Sequence, residues 1–288
     1  MTIIIRKDSY FLDLLKRNLK EHYDTRRRLD NIIHISDVLP SNCLRKQYYT
    51  RKIPEKDILS DELIQHFIRG ESSEFVISKL SNIGVTQNEL KIEELVAHPD
   101  IMNEEMIVEL KDTTSHKRLD INDKKFRSYL RQLLYYLVIS GLEKGIISIR
   151  YTNDELKFIK SDLEGDYFFR PNKAKKQQIE SWRVFLPKDD IIREILKNEM
   201  IRRKNLLLKA IVEDDVSILP RIPESKRGNI CTKCEYFHMC MDIDDETKEA
   251  VDMSKELDVF DIKGIIDFKP IFEDEVKINK KIKEKDNY

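Results

Sequence analysis

Pro99-Asp100-Ile101-Met102-Asn103-Glu104-Glu105-Met106-Ile107-Val108-Glu109-Leu110-Lys111 is the stretch from which the rest of the chain can be read. With Leu95-Val96-Ala97 before it, the stretch predicts a β-hairpin. An apolar arm leads into Pro99-Asp100, Asn103-Glu104-Glu105 make the turn, and Met106 to Lys111 alternate as a second arm. The strand period of two sets Ile107, Glu109 and Lys111 on one face and Val108 and Leu110 on the other. Asp100 and Glu109 then sit on two arms, where their carboxylates can converge on one cation. A hard divalent ion such as Mg2+ prefers oxygen ligands and keeps several waters. It can polarise a phosphate, lower the pKa of a bound water and offset charge on a leaving oxygen. Lys111, on the face of Glu109, is placed to orient that water or to stabilise a pentacovalent transition state. In a chain that is 36% charged, Glu-x-Lys by itself is equally an ordinary surface pattern.

The helix expected at about 123–140 adds to the hairpin. Its apolar positions are Phe126, Leu130, Leu133, Leu134 and Leu137, while Tyr129, Gln132 and Tyr136 share one face at i, i+3 and i+7. A Gln and two Tyr so placed can reach a metal site, a phosphate or a base; half-buried tyrosines of an amphipathic helix are the plainer reading. Upstream, residues 8–30 read as a basic helix ending in Arg26-Arg27-Arg28, and Ser36-Asp37 as a cap before the Cys43 segment. From about 60 to 82, Leu63, Phe67, Phe75, Val76 and Leu80 mark an apolar face interrupted at Gly70. Downstream come strands at 146–151 and near 156–160, then a long charged amphipathic helix over about 188–213. Regular structure should stop at Pro220 and Pro223. Residues 241–288, acidic and then basic with short apolar runs such as Val259-Phe260 and Gly264-Ile265-Ile266, read as a loosely attached charged extension.

The chain has 288 residues, 40% of them hydrophobic, and a formal net charge of −1. That balance gives no overall field for attracting a polyanion, so any nucleic-acid site must be a local basic patch. Groups that fit are Arg26 to Arg28, Arg45 with Lys46, and Lys173 with Lys175 and Lys176, each also readable as a solvated face. Tyr48, Tyr49, Phe168 and Phe169 are aromatics able to stack on unpaired bases. Met-Thr-Ile-Ile-Ile-Arg-Lys has too short an apolar run for an export signal, and nothing reaches the roughly 20 apolar residues of a membrane span. A cytosolic location with no membrane partner is the expectation.

Four cysteines are present: Cys43, and the triplet Cys231-Thr-Lys-Cys234-Glu-Tyr-Phe-His-Met-Cys240. In a reducing compartment, grouped cysteines are more often ligands than disulfides. One site using all four would tie the two ends of the chain together. Four thiolates suit Zn2+ or an iron–sulfur cluster, and chemistry alone leaves those two nearly level.

Pro99-Asp100, Glu109-Leu110-Lys111 and Gln132-Leu-Leu-Tyr-Tyr136 together resemble the RecB-like branch of the PD-(D/E)XK nucleases. With Cys43 and the Cys231/Cys234/Cys240 triplet in the same order, the chain looks like the iron–sulfur members. These are the CRISPR-associated exonucleases of Cas family four, their archaeal relatives and the AddB-type helicase–nucleases. The resemblance covers roughly residues 36–240. It implies an α/β fold in which a mixed central sheet is flanked by helices, with a helical N-terminal part and a four-cysteine region. The nuclease domain would be residues 1–240, with a core at about 60–185, and 241–288 an extension. It further implies a [4Fe–4S] cluster on Cys43, Cys231, Cys234 and Cys240 with a structural role. Asp100, Glu109, Lys111, Gln132 and Tyr136 would be the catalytic set, with Mn2+ or Mg2+ as the metal.

Implied partners are single-stranded DNA ends, CRISPR integrase proteins and further copies of the same chain. The implied activity is exonuclease trimming of spacer precursors, or recombination and genome processing in a viral or mobile-element copy. One departure matters. Where the family carries G-x3-H, this chain has Gly70-Glu71-Ser72-Ser73-Glu74, so Glu74 stands at the position of a histidine ligand. Glutamate is a competent oxygen ligand; His66 and His98 are the alternatives, and Ala97-His98 stands where a glycine is usual. The departure also admits a catalytically weak or inactive subunit that binds DNA or a partner, and a zinc-stapled binding module is a third reading.

Overall fold

A computed structural model describes residues 9–24, 32–53, 60–81, 83–86, 88–115, 117–152, 157–160, 167–170, 179–222 and 231–242. They fall within one compact unit, Met1–Ser254. Arg26 to Arg28, Lys173, Lys175, Lys176, the side chains of Phe168 and Phe169, and the extension beyond residue 242 lie outside what is described.

Helix α1 (Ser9–Asp24) is followed by β1 (Ile33–His34) and a 3-10 turn, Ile35–Val38. Asp37 does not cap the Cys43 segment. Its buried carboxylate accepts the His34 amide at 2.8 Å and pairs with Arg51 at 2.8 Å, while Cys43 itself is the N-cap of α2 (Leu44–Lys52). Helix α3 (Asp61–Ser81) runs unbroken through Gly70. Its expected apolar face is largely in solvent: Phe75 is 63% exposed and Val76 49%, and Leu63 and Phe67 are also exposed. Serines occupy part of the buried side: Ser73 meets a polar network on the neighbouring strand, and Ser78 donates to the Phe75 carbonyl of its own helix.

Next come β2 (Val85–Thr86), β3 (Leu90–Ile92), β4 (Leu95–Ala97), β5 (Ile101–Met102) and β6 (Met106–Thr113). The turn at 103–105 forms as read: the Asn103 side-chain oxygen accepts the amides of Glu105 and Met106 at 2.8 and 2.9 Å. The first arm differs. Leu95-Val96-Ala97 leave the hairpin for a three-stranded sheet, order β1-β4-β3, in which all three are buried. Pro99 has no N–H to give to a ladder, and pairing with β6 resumes only at β5, where Ile101 faces Val108 and Met102 faces Ile107.

Helix α4 (Lys124–Ser140) ends at Gly141, whose φ of 72° is the left-handed C-cap conformation. Strand β7 (Lys144–Tyr151) follows and pairs parallel with β6 along all eight residues of each. The chain continues through β8 (Lys157–Lys160), β9 (Tyr167–Arg170), β10 (Ile179–Phe185), α5 (Ile191–Glu213), a 3-10 turn at Val216–Ile218 and α6 (Phe237–Met241). The main sheet is β10-β7-β6-β5-β2, parallel only at β6–β7 among its described pairs. This is the mixed central sheet flanked by helices that the motifs imply. A βαβ crossover through α4 explains it, since parallel strands need a long connection and the helix packs back on the sheet.

Helix α4 covers the face bearing Ile107, Glu109, Ile147 and Ile149, all 0% exposed. The approach is close at Gly145, where an added Cβ would stand 2.8 Å from Leu133. On its other side α4 meets α5 through a buried polar knot. Arg131 donates to both carboxylate oxygens of Glu199 at 2.5 Å, and the Tyr135 hydroxyl donates to the same group. Arg203 of α5 donates to the carbonyls of Val38, Leu39 and Asn42, fixing the loop before α2.

Arg131→Ala strands the Glu199 carboxylate in the core. It should lower unfolding free energy by roughly 3–5 kcal/mol in urea melts. The paired Arg131→Met, Glu199→Leu variant should recover most of that loss.

Candidate active site

Strand β6 carries the site. Glu109 is 0% exposed and its carboxylate forms an ion pair with the Lys111 ammonium two residues on. Lys111 Nζ meets Oε1, and Oε2 is buried with no hydrogen-bond partner among the described residues. Asp100, just ahead of β5, turns its carboxylate across to β6, where Oδ2 accepts the Leu110 amide at 2.6 Å. The carboxylate thus takes the place of a strand partner at the point where β5 no longer pairs with β6. Glu74 reaches the same region from α3.

The three carboxylates are close enough to oppose one another's ionisation. Burial, then the charge of Asp100, pushes Glu109 up to about 8 against the pull of Lys111. Burial, then Asp100, raises Glu74 to about 7, and burial also raises Asp100. Burial works against the Lys111 ammonium, but Glu109 and Asp100 outweigh it and hold the lysine charged. Among the described residues no three His, Cys, Asp or Glu side chains are gathered closely enough to grip a metal ion as they stand. The donor set nonetheless suits a hard divalent cation. It offers three oxygen donors, one of them with a buried atom in want of a partner, and a single ammonium in direct contact.

Gln132 and Tyr136 sit one helical turn apart on α4. The Gln132 amide donates to the Tyr136 hydroxyl at 2.8 Å, and that hydroxyl lies 3.3 Å from the His98 carbonyl. The Q-x3-Y pair therefore braces the backbone just before Pro99-Asp100. His66 contacts Arg69 at 3.1 Å, and His98 lies 3.4 Å from Glu89 and stacks obliquely near His34.

Several groups at this site are silent in the sequence pattern. Asp112 points to the opposite face of β6 from Lys111, where Ser73 donates to it at 2.9 Å and Arg69 pairs with it at 2.7 Å. Arg150 of β7 donates to the Ser73 hydroxyl at 2.8 Å. The Tyr129 ring lies under the Lys111 ammonium at 5.3 Å and near that of Lys125 at 6.0 Å. The i, i+4 spacing of Arg69 and Ser73 is the one local signal that could have flagged them.

All four cysteines line one pocket, together with Arg45, Tyr49, Arg221 and Tyr236, and none is in a disulfide. Cys43 comes from the start of α2; the triplet folds against it, with the Cys231 carbonyl accepting the Cys234 amide at 3.0 Å and that of Tyr236 accepting the Cys240 amide. The rings of Tyr49 and Tyr236 stack at 5.3 Å, and burial pushes the Cys43 thiol up. The groups expected to meet DNA beside this site have other partners in the fold. Arg45 is buried, donating to the Leu219 carbonyl at 2.8 Å and approaching Cys240 Sγ at 3.9 Å. Lys46 pairs with Glu235 at 3.0 Å. Tyr48 and Tyr49 are buried too, Tyr48 donating to Asp214, so neither ring is open to a base.

No protein family profile matches the sequence, and no curated protein does either. Among solved structures, the chain is similar to the protein SSO0001, at 16% identity over 80% of this chain and 95% of that one, with a TM-score of 0.48. A phage-related exonuclease from Haemophilus somnus 129PT is similar at 11% identity over 67% of this chain and all of that one, TM-score 0.41. An alkaline exonuclease from Laribacter hongkongensis is similar at 11% identity over 67% and 95%, TM-score 0.36.

A carboxyl whose pKa is raised by folding keeps its proton where the unfolded chain has lost it, so folding stability falls as pH rises through that window. For Glu109 the window runs from its ordinary 4.5 to about 8. Without metal, the wild-type melting temperature should therefore drop more steeply from pH 5 to 8 than that of Glu109→Gln. Saturating Mn2+ should shrink the difference. Equal pH slopes for the two proteins would show that Glu109 is not under this strain.

Proposed function

We propose that this chain is a metal-dependent deoxyribonuclease acting on single-stranded DNA ends. The observation that carries the reading is Glu109: a carboxylate buried on the central strand, with one oxygen unpartnered, beside Asp100 and a charged Lys111. A buried carboxylate oxygen without a partner is costly, and a divalent cation shared with Asp100 and Glu74 would supply one.

Asp100 and Glu109, with Glu74 from α3, would hold Mn2+ or Mg2+. That ion, when bound, supplies an acidic water and neutralises charge on the phosphate. The chain's own residues supply the rest. Lys111 stays protonated and offers a fixed positive charge to the equatorial oxygens as phosphodiester cleavage proceeds. Gln132 and Tyr136 hold the His98 carbonyl and so keep Asp100 opposite Leu110. The β6 backbone keeps Glu109 and Lys111 on one face, where a side-chain shift of about 1 Å would weaken catalysis.

Cys43, Cys231, Cys234 and Cys240 line one pocket and are all thiols, a donor set that fits a [4Fe–4S] cluster or zinc. The order of cysteines and nuclease motifs favours the cluster, in a structural role. The same order supports work on spacer precursors in CRISPR adaptation, in the cytoplasm beside integrase proteins. The second reading, an inactive DNA- or partner-binding subunit, draws on Glu74 in the histidine position and on carboxylates not already gathered into a cage.

The test is cleavage of end-labelled single-stranded DNA by anaerobically purified protein, with Mn2+ or Mg2+ against EDTA. Lys111→Ala should lower kcat at least about a hundredfold while leaving the far-UV spectrum unchanged. Mn2+-dependent cleavage that persists in Lys111→Ala overturns the site. Brown protein with visible absorption supports the cluster over zinc.

A further inference from the structure

Beyond Val108 on the β5 side, β6 has no strand partner among the described residues. The edge is bordered instead by two helices, α3 with Arg69, Ser73 and Glu74, and α4 with Lys125 and Tyr129. The carboxylate site fills one end of this trough. At the other end stands an excess of positive charge. The Lys125 ammonium lies 3.2 Å from the Thr113 hydroxyl, one turn of α4 from Tyr129. The Tyr129 ring links it to Lys111, standing 6.0 Å from one ammonium and 5.3 Å from the other. Arg69 and Arg150 both face Asp112, at 2.7 and 3.9 Å, and Arg150 also holds Ser73.

Three cations, Arg69, Arg150 and Lys125, thus gather around one carboxylate. Arg69 and Arg150 make ion pairs with Asp112, which is held in place and almost wholly buried. Lys125 is exposed, and among the described residues its ammonium meets a neutral hydroxyl and no carboxylate. Burial, and then repulsion from Arg69, outweighs the attraction of Asp112 and makes that ammonium easier to deprotonate than usual.

We propose that Lys125, backed by Arg69 and floored by Tyr129, seats the DNA phosphate next to the one cleaved. The proposal rests on the nuclease reading of the same trough and adds the direction in which the strand leaves it: from Asp100 and Glu109, past Lys111, towards the start of α4. A phosphodiester there offers an anion to Lys125, and the adjoining sugar or base meets the Tyr129 ring. Either an internal phosphate or a terminal one has the required chemistry.

Two measurements on the full-length protein test it. In steady-state cleavage of single-stranded DNA, Lys125→Gln should raise KM about tenfold, with the loss in kcat smaller than the loss in affinity. Lys125→Arg should restore most of it. In fluorescence-anisotropy titrations with Ca2+ in place of the active metal, Lys125→Gln should weaken DNA binding and flatten the slope of log affinity against log salt by about one. A 5′-phosphate that changes the Lys125→Gln penalty identifies a terminal phosphate as the occupant; an unchanged penalty identifies an internal one.

Wild-type affinity and salt slope in Lys125→Gln overturn the seat, whether or not the enzyme cleaves. Reduced binding in Lys125→Gln, from a wild-type protein that never cleaves, overturns the nuclease reading and keeps the seat.

Discussion

One buried acid organises this molecule. Glu109 sits in the middle of the central strand, sealed from water by α4, with the Lys111 ammonium as its direct counterion. An acid in that position is tolerated only if its surroundings are fixed, because charge in a dry interior loses far more by small displacements than charge at a surface. The long parallel pairing of β6 with β7 supplies the rigidity, and the close contact at Gly145 keeps α4 seated over both strands. Asp100 is then located by a single bond to the Leu110 amide, and the Gln132–Tyr136 brace holds the chain that leads to it. Each of these features loses its purpose if Glu109 is moved to solvent.

Much of that arrangement is legible in the residues. The strand period placed Glu109 and Lys111 together, and the apolar positions of α4 marked the helix over the sheet. The polar turn at Asn103 was visible because its side chain acts on its own neighbours in sequence. Where the reading failed, the deciding partner was remote. Leu95-Val96-Ala97 looks like a hairpin arm, yet it is drawn into another sheet by β1 and β3, strands too short to announce themselves. The apolar residues of α3 suggested a buried face. That helix instead turns Ser73 and Arg69 inward to Asp112, thirty-nine positions from Ser73, and no periodicity encodes such a distance. Arg45 read as a phosphate contact, but the Leu219 carbonyl had already claimed it.

A second theme is the reliance on cations that hold backbone rather than partner side chains. Arg203 gathers three carbonyls of the loop before α2. Arg193 gathers four more, from Leu137, Leu142, Leu186 and Pro187, at the junction of α4, β7 and α5. Guanidinium groups suit this work because their donors form a rigid planar fork that serves several acceptors at once. In a chain so rich in charge, these arginines act as joints of the fold and are not available to a ligand. A cluster of basic residues in the sequence is therefore a poor guide to where an anion binds.

The meeting of α2 with α6 has a consequence for how the protein is made. Tyr49 stacks on Tyr236, and Cys43 waits for thiols that come nearly two hundred residues later. At ribosomal speeds of 5–20 residues per second, α2 emerges roughly 10–40 seconds before its cover. Through that interval its tyrosines and its cysteine stand uncapped. The fold is thus completed by a closing step, in which the segment at 231–242 docks on one of the first described helices.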